Sequence, residues 1–222
     1  LRMTKLPKAP DRARLKALKP ALASLPAGQP LARVYFRAGR HPVRWSDLRY
    51  FGPVRSGRFD HHDPAADGSG RLQDRGILYC ALANDTSVAG LDVCLSEVFQ
   101  ATRTISLTID SPAWAVFAPT ADITLLDLRG KWPTRAGASQ ALATGPKSSA
   151  RRWAGAFRDI YPGIQGLIYR SSITGGRNAV ALNERAVDAL PSTPTIHYDL
   201  ADRKIDRILR KAAGSIGYCV VP

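Results

Sequence analysis

This chain of 222 residues is 45% hydrophobic and 23% charged, a balance typical of folded globular proteins and unlike that of disordered chains. Its 32 Lys and Arg residues outnumber 18 Asp and Glu residues and leave a formal charge of +14, so the surface should attract nucleic acid, phosphate-rich nucleotides or acidic proteins. No segment approaches the ~18 uncharged apolar residues of a membrane span, and no apolar run follows the basic N-terminus as in a secretory signal. We therefore expect a cytoplasmic protein.

The N-terminal 30 residues differ in composition from the rest. Residues 1–20 hold seven basic side chains and one acid, and five prolines interrupt residues 1–30. Because proline breaks helices, a helix here is confined to the interval between Pro10 and Pro20. We expect a basic appendage over residues 1–30, followed by one domain over residues 31–222. The appendage is either a solvated arm or amphipathic first helix with no specific partner, or a segment with a functional role.

The next elements follow from hydrophobic patterning. A strand is predicted over residues 32–36, then a long irregular region to about Arg75, and a buried strand over residues 77–82. Apolar residues then recur with helical spacing over residues 86–100, with Thr86 available as the N-cap. Glu97 lies off the apolar face of this helix, and periodicity alone would leave it in water.

The second half of the chain alternates further strands and helices. Strands are predicted over residues 104–109, 123–128, 167–170, 179–182 and 216–221, the last one closing the sheet, and helices over residues 136–143, 148–159 and 205–212. This order lacks strict β-α-β repetition and therefore predicts a mixed α+β domain.

Several familiar chemistries are excluded by missing motifs. Gly52 and Gly57 have the spacing of the two glycines in a phosphate-binding loop. The next residues are Arg58 and Phe59 and not Lys and Ser or Thr, so this segment is not such a loop. No dinucleotide-binding G-x-G-x-x-G, nucleophile-elbow G-x-S-x-G or zinc-binding H-E-x-x-H is present.

Metal binding and disulfides also lack support. Cys80, Cys94 and Cys219 are odd in number and sit among apolar neighbours, so we expect buried, reduced thiols. The only cluster of possible metal ligands begins at His61-His62 and has no second pair, so no metal is predicted.

Five segments together resemble the RES domain family: Leu31-Ala-Arg-Val-Tyr-Phe-Arg37, Ser56-Gly-Arg-Phe-Asp60, Ile77-Leu-Tyr-Cys-Ala81, Cys94-Leu-Ser-Glu-Val-Phe99 and Gly166-Leu-Ile-Tyr-Arg-Ser171. The resemblance covers roughly residues 31–187. It implies a fold similar to the ADP-ribosyltransferase toxins, α+β with two small sheets around an NAD cleft and flanking helices. It also implies a toxin that consumes NAD as its substrate.

The resemblance assigns a catalytic role to three residues. Arg33 would grip the pyrophosphate with its fixed fork of donors, with Arg37 and Arg58 as fallback ligands. Tyr79 would stack on the cationic nicotinamide ring. Glu97 would accept hydrogen bonds from the ribose hydroxyls and stabilise the positive charge that develops as nicotinamide leaves.

The remaining site residues carry alternatives. The family serine corresponds to Ser171 or to its neighbour Ser172, either of which would bind substrate without acting as a nucleophile. Tyr169 would form part of the pocket wall. The separation between Tyr79 and Glu97 is longer than the family usually has, which an insertion before the helix would explain, and Asp92 is the alternative carboxylate.

The resemblance also predicts partners. RES toxins are encoded beside antitoxins, commonly with a helix-turn-helix part, which insert a segment into the NAD cleft; DNA would be reached only through the antitoxin. The acceptor of ADP-ribose would be a protein target, phosphate or water. Two other readings remain: a basic nucleic-acid-binding protein, or an inactive RES-like interaction module.

Overall fold

The computed structural model describes residues 9–83, 88, 90–174 and 176–222. Within those ranges the strands are β1 Leu22–Leu25, β2 Leu31–Phe36, β3 Arg49–Gly52, β4 Arg71–Leu82, β5 Thr104–Ser106, β6 Pro112–Phe117, β7 Ile123–Asp127, β8 Gly166–Arg170, β9 Asn178–Asn183, β10 Ile196–Asp199 and β11 Cys219–Val221. The helices are α1 Arg12–Ala17, α2 Leu91–Val98, α3 Trp132–Arg135, α4 Ala141–Thr144, α5 Lys147–Ile160 and α6 Asp206–Ser215, with 3-10 turns at Glu184–Ala189 and Arg203–Ile205.

Nine of these strands form one mixed sheet in the order β1-β7-β8-β9-β4-β2-β6-β10, with β3 also paired to β4. Only β7 and β8 run parallel within it, and β5 and β11 form a separate parallel pair. The expected α+β class is confirmed. The expected division into two small sheets is not what the structure shows, because the strands join into one nine-stranded sheet beside the two-stranded one.

The main sheet nevertheless has a weak junction. Strands β2 and β4 are joined by two residue pairs, Leu31 with Leu82 and Ala32 with Ala81. On either side the ladders are longer, since β2 pairs with β6 through all its six residues and β4 with β9 through five. The sheet is therefore two halves that share a short ladder.

Different helices cover the two halves. Helices α1, α3 and α5 pack on the β7-β8-β9 half through Leu15, Trp132, Trp153 and Phe157, all of them buried. Helices α2 and α6 pack on the β2-β6 half in a second cluster that contains Leu91, Leu95, Val34, Leu209 and Ala212. A third cluster lies on the opposite face of the sheet, around Leu31, Tyr35, Trp45, Leu78 and Phe117.

The described part of the N-terminal segment packs against the domain. Leu15 is fully buried, and β1 pairs with β7 through four residue pairs. The Tyr161 hydroxyl donates to the Leu15 carbonyl at 2.7 Å, and the Trp132 indole donates to the Lys19 carbonyl at 2.9 Å. The helix between Pro10 and Pro20 is confirmed, while the boundary between residues 1–30 and 31–222 stays a prediction.

Several predicted elements were wrong in extent. Strand β4 begins at Arg71 and not at residue 77, because its first half pairs with β3 inside the region expected to be irregular. Of the helix predicted over residues 136–143, only residues 141–143 are helical, in α4, because Gly137 has a φ of 91° and α3 already ends at Arg135. Helix α2 begins at Leu91, and the predicted N-cap Thr86 lies outside the described residues.

Other predictions failed because they depended on partners distant in sequence. Strands β6 and β10 were not predicted, yet they pair with each other at the edge of the main sheet. Strand β11 pairs with β5 and so does not close the main sheet. Cys219 is exposed rather than buried, whereas Cys80 and Cys94 are buried as expected. Among the helices in the described ranges, none is long and apolar enough to span a bilayer.

Candidate functional site

The structure brings Glu97 and Ser171 into direct contact although they are 74 residues apart. The Ser171 hydroxyl donates to Glu97 Oε1 at 2.7 Å and accepts from the Ile173 backbone N–H at 3.2 Å. Ser171 itself is 3% exposed, and its backbone N–H donates to the Arg177 carbonyl at 2.7 Å. The hydroxyl therefore donates in one fixed direction and accepts in another, so its orientation is defined. This holds one oxygen of the Glu97 carboxylate in a defined position.

Helix α2 places Glu97 at this point. Its residues Leu91 and Leu95 are fully buried in the cluster with α6 and β2, whereas Glu97 is half-buried on another face near the C-terminal end. Gly90, with a φ of 74°, precedes the helix, and a Cβ there would lie 3.2 Å from Ala32 Cβ. A side chain at residue 90 would therefore push the start of α2 away from the sheet. The predicted placement of Glu97 off the apolar face agrees with this geometry.

Two tyrosines from neighbouring parts of the sheet form an aromatic wall beside Glu97. Tyr169 in β8 is buried and its ring centroid lies 4.5 Å from that of Phe59. Burial raises the pKa of Tyr169 well above its ordinary value, and the Glu97 carboxylate adds to the effect. Burial, followed by the Asp60 carboxylate, likewise raises the pKa of Tyr79 in β4. Both phenols are therefore neutral at physiological pH.

The Tyr79 hydroxyl points at a tight turn. It is buried and has no hydrogen-bond partner among the described residues. A Cβ built on Gly57 would lie 3.0 Å from the Tyr79 hydroxyl and 3.0 Å from the Asp60 Cβ. The turn can approach this closely because residue 57 has no side chain.

Arg58 follows that turn and lies on the same side of the sheet as Glu97. Its Nη1 donates to the Gly145 carbonyl at 2.5 Å and to the Leu142 carbonyl at 3.4 Å. Burial lowers the pKa of Arg58, and the Glu97 carboxylate is the first of the groups that oppose this shift. A carboxylate, a guanidinium and two aromatic rings thus face one region, a set that can bind ribose hydroxyls, an anion and a flat ring.

The structure places Arg33 on the opposite face of the sheet. Side chains alternate along a strand, and Ala32 and Val34 pack under α2 while Leu31 and Tyr35 belong to the cluster on the other face. Arg33 Nη1 donates to the carbonyls of residues 44, 45 and 47 at 3.2, 2.6 and 3.0 Å. Burial lowers the pKa of Arg33, and the carboxylate that opposes this is Asp47. The structure does not bring Arg33 to Glu97, and its role as a phosphate ligand stays a prediction.

The other candidates are also separate from the Glu97 contact. Arg37 pairs with Asp199 at 2.6 Å. Ser172 is exposed, whereas its neighbour Ser171 is buried. Asp92, the alternative carboxylate, is 5% exposed and lies 3.4 Å from Arg177. Of the two serines and two carboxylates considered, the structure pairs Ser171 with Glu97.

A buried charge network behind the turn was missed from the sequence. Asp60 is fully buried and accepts from Arg49 Nη2 at 2.8 Å, from the Val54 N–H at 2.7 Å and from both the backbone and ring Nδ1 of His62. The hydrogen bond with His62 and the charge of Arg49 hold the pKa of Asp60 at about 2, against the opposing effect of burial. Asp60 therefore stays ionised and fixes the turn that carries Arg58.

His61 belongs to a second buried group beside the first. Its Nε2 lies 3.6 Å from Glu184 Oε2, and Arg158 also pairs with Glu184. The His61 and His62 rings stack at 5.5 Å. Within the described ranges, no three His, Cys, Asp or Glu side chains are grouped closely enough to hold a metal ion. The histidines contact carboxylates and each other, which is a structural arrangement.

Comparisons with known proteins relate the chain to one family and one fold. The sequence profile of the RES domain matches residues 30–201. None of the curated protein sequences matches the chain. Among solved structures, it is similar to a chain in the crystal structure of the M. tuberculosis MbcT–MbcA toxin–antitoxin complex, with a TM-score of 0.56 and 15% identity over 89% of this chain and 96% of that one. At this identity the likeness shows a shared fold, and the profile match, which spans most of the sequence, shows that the chain belongs to the RES domain family.

Proposed function

We propose that this protein is the toxin of a toxin–antitoxin pair and that it cleaves the bond between nicotinamide and ribose in NAD, passing ADP-ribose to an acceptor. Membership of the RES family supports the NAD-consuming chemistry, and the similar chain in the MbcT–MbcA crystal structure supports the pairing with an antitoxin. The observation that carries the proposal is the hydrogen bond between Ser171 and Glu97 at 2.7 Å.

In this proposal the Glu97 carboxylate lies beside the ribose. It accepts hydrogen bonds from the ribose hydroxyls and stabilises the oxocarbenium-like charge that develops as nicotinamide departs. Ser171 is a positioning residue, because its hydroxyl holds Glu97 Oε1 before substrate arrives. The leaving group carries away the electron pair of the broken bond as neutral nicotinamide.

The aromatic wall of Tyr79 and Tyr169 would hold the nicotinamide ring of the substrate. The nicotinamide ring of NAD is cationic, so the neutral faces of Tyr79 and Tyr169 would attract it, while neutral nicotinamide would bind less tightly after cleavage. Arg58 would contact a phosphate. The predicted phosphate contact of Arg33 is not supported by its position, because its Nη1 bonds to three carbonyls on the opposite face of the sheet.

The partner in this proposal is an antitoxin, commonly with a helix-turn-helix part, that blocks the cleft with an inserted segment. The formal charge of +14 would accelerate association with an acidic segment. DNA would be bound by the antitoxin and not by this chain.

The proposal is tested by nicotinamide release from NAD with purified protein, in water, with added phosphate, and with cell lysate as a source of protein acceptors. Glu97→Ala should abolish release, and Asp188→Asn, which changes an exposed carboxylate on a 3-10 turn, should leave it unchanged. The condition that release requires identifies the acceptor. Equal release from the wild type and Glu97→Ala would contradict the proposal.

A second candidate function is binding to nucleic acid, favoured by the exposed basic side chains of the last helix and the turn before it. These are Arg203, Lys204, Arg207, Arg210 and Lys211. This function predicts DNA binding that weakens steeply with salt and is unaffected by Glu97→Ala. Absence of nicotinamide release together with such binding would favour it over the NAD-cleaving toxin.

A further inference from the structure

Two arginines clamp the turn before Arg58 onto the start of helix α5. Arg58 Nη1 donates to the Gly145 carbonyl at 2.5 Å, two residues before α5 begins. In return, Arg151 Nη1, from the second turn of α5, donates to the carbonyls of Val54 at 3.3 Å and Arg55 at 3.2 Å. The two loops are therefore held together by reciprocal bonds, each made by a single guanidinium nitrogen.

Lys147 lies near both of these arginines. It is the first residue of α5, and Arg151 follows it by four positions, so both side chains project from the same face of the helix. That face is turned toward residues 54–58, because Arg151 bonds to their carbonyls. Within the described ranges Lys147 makes no hydrogen bond or ion pair, although it is half-buried.

The electrostatics of Lys147 reflect these neighbours. Burial, followed by the charge of Arg58, lowers its pKa, the Glu97 carboxylate opposes the shift, and Arg151 adds to it. Lys147 and Arg58 thus both interact with the Glu97 carboxylate, and Arg151 adds a third positive charge beside Lys147. The helix adds no negative charge, because its first turn has no acidic residue and no side chain caps its N-terminus.

We propose that Lys147, together with Arg58, binds the diphosphate of the nucleotide substrate, and that Arg151 positions Arg58 for this contact. This proposal rests on the proposed function and adds a ligand residue to it. Two positive charges remain when Glu97 has neutralised one of the three, and the diphosphate of NAD carries two negative charges. The cation group lies on the Glu97 side of the sheet, whereas Arg33 lies on the other.

The direct test is the binding of ADP-ribose, which contains the diphosphate but has no nicotinamide to release, measured by titration calorimetry on the full chain. Lys147→Gln should weaken binding roughly tenfold, the loss expected for one hydrogen bond to a charged group. Lys147→Arg should restore most of it. Lys131→Gln, at an exposed lysine before α3, is the matched control and should bind like the wild type.

The diphosphate itself is tested with adenosine, which lacks it. Adenosine should bind the wild type and Lys147→Gln equally, because the lost contact is to phosphate. ADP-ribose affinity that is unchanged in Lys147→Gln, or lowered just as much in Lys131→Gln, would overturn the proposal. So would a wild type that does not bind ADP-ribose.

Kinetics separate this proposal from the proposed function. If NAD is cleaved, Lys147→Gln should raise KM with little change in kcat, because the contact exists in both substrate and transition state. Cleavage with an unchanged KM would overturn the Lys147 assignment and leave the function standing. ADP-ribose binding that depends on Lys147, without nicotinamide release, would support the site and contradict the function.

Discussion

Two neighbouring polar regions of this protein each contain a carboxylate, and the two carboxylates differ in burial and in how many hydrogen bonds the protein donates to them. Asp60 is fully buried and accepts hydrogen bonds from Arg49, Val54 and His62. Glu97 is half-buried and, among the described side chains, accepts one hydrogen bond, from Ser171. The protein itself supplies the hydrogen-bond donors that Asp60 needs, whereas Glu97 can accept further hydrogen bonds.

The difference shows how a folding role can be separated from a binding role. A buried charge whose partners are all within the protein stabilises the fold, and removing it leaves other charges unpaired. A half-buried charge with free acceptor capacity contributes less to folding and can bind a ligand. Substitutions in the two regions should therefore affect different measurements.

The largest effect is expected for Glu97→Gln. This variant keeps an oxygen that can accept from Ser171 but loses the negative charge, so kcat/KM for NAD cleavage should fall roughly 10²–10³-fold. The free energy of unfolding, measured with urea, should change by less than about 0.5 kcal/mol, because the amide oxygen can still accept from Ser171 and the side chain is only half-buried. Lost activity together with a large loss of stability would mean that Glu97 has a structural role.

The opposite result is expected for Asp60→Ala. Because Arg49 and His62 would be left without their partner, unfolding should become easier by about 3–5 kcal/mol. Urea denaturation measures this loss, and Asp60→Asn, which keeps a hydrogen-bond acceptor, should be less destabilised. If Asp60→Ala unfolds at the wild-type urea concentration, the network does not stabilise the fold as we describe.

Arg33→Met tests whether this arginine stabilises the fold or binds the substrate. Its Nη1 donates to three carbonyls, so its loss should destabilise the protein by about 1–3 kcal/mol in the same urea experiment. ADP-ribose affinity, measured in parallel, checks the predicted phosphate contact. A fall in affinity without a loss of stability would place Arg33 with the binding region.

Ser171→Ala and Ser172→Ala distinguish the two candidate serines. Loss of the Ser171 hydroxyl removes the hydrogen bond to the Glu97 carboxylate, so nicotinamide release should slow roughly tenfold to a hundredfold, as for one hydrogen bond to a charged group. Ser172 is exposed, and its substitution should have little effect. The reverse order of activities would assign the family serine to residue 172.

The smallest effect concerns pH and the histidine beside Glu184. Burial lowers the pKa of His61 below 6.5, with Glu184 opposing, so the unfolded chain binds more protons than the folded one as the pH falls below about 6.5. Stability should therefore decrease on acidification through this range, and again below about pH 4 as the pKa of Asp60, near 2, is approached. Urea midpoints between pH 7.5 and pH 2 measure both falls, and His61→Gln should flatten the upper one.

The sequence predicted elements whose patterns are local. The amphipathic spacing of α5 and the apolar runs of β2, β8 and β9 all correspond to observed elements. Strand β6 was missed because all six of its residues are buried, so no alternation marks it. Strand β10 was missed because it is short and polar, and only its pairing with β6 defines it.

The site residues stay a prediction, and the structure adds how two of them are placed. The family motifs identified Glu97 and Ser171, but neither periodicity nor spacing could show that they touch, because the fold brings together residues from α2 and the end of β8. The residues of the network around Asp60 lie in a segment that the sequence predicts only as a polar loop. Lys147 has no local signal at all, since its position depends on Arg58 and Arg151 contacting each other's loops.

The packing of α6 also determines where the chain can be truncated at its C-terminal end. The matched family region ends at residue 201, before α6 and β11. Yet Leu209 and Ala212 share a buried cluster with the helix that carries Glu97, and the Tyr218 hydroxyl donates to the Ser96 carbonyl at 3.3 Å. A fragment that stops at residue 201 would lack the apolar support beneath Glu97, and its inactivity would say nothing about the activity of the longer chain.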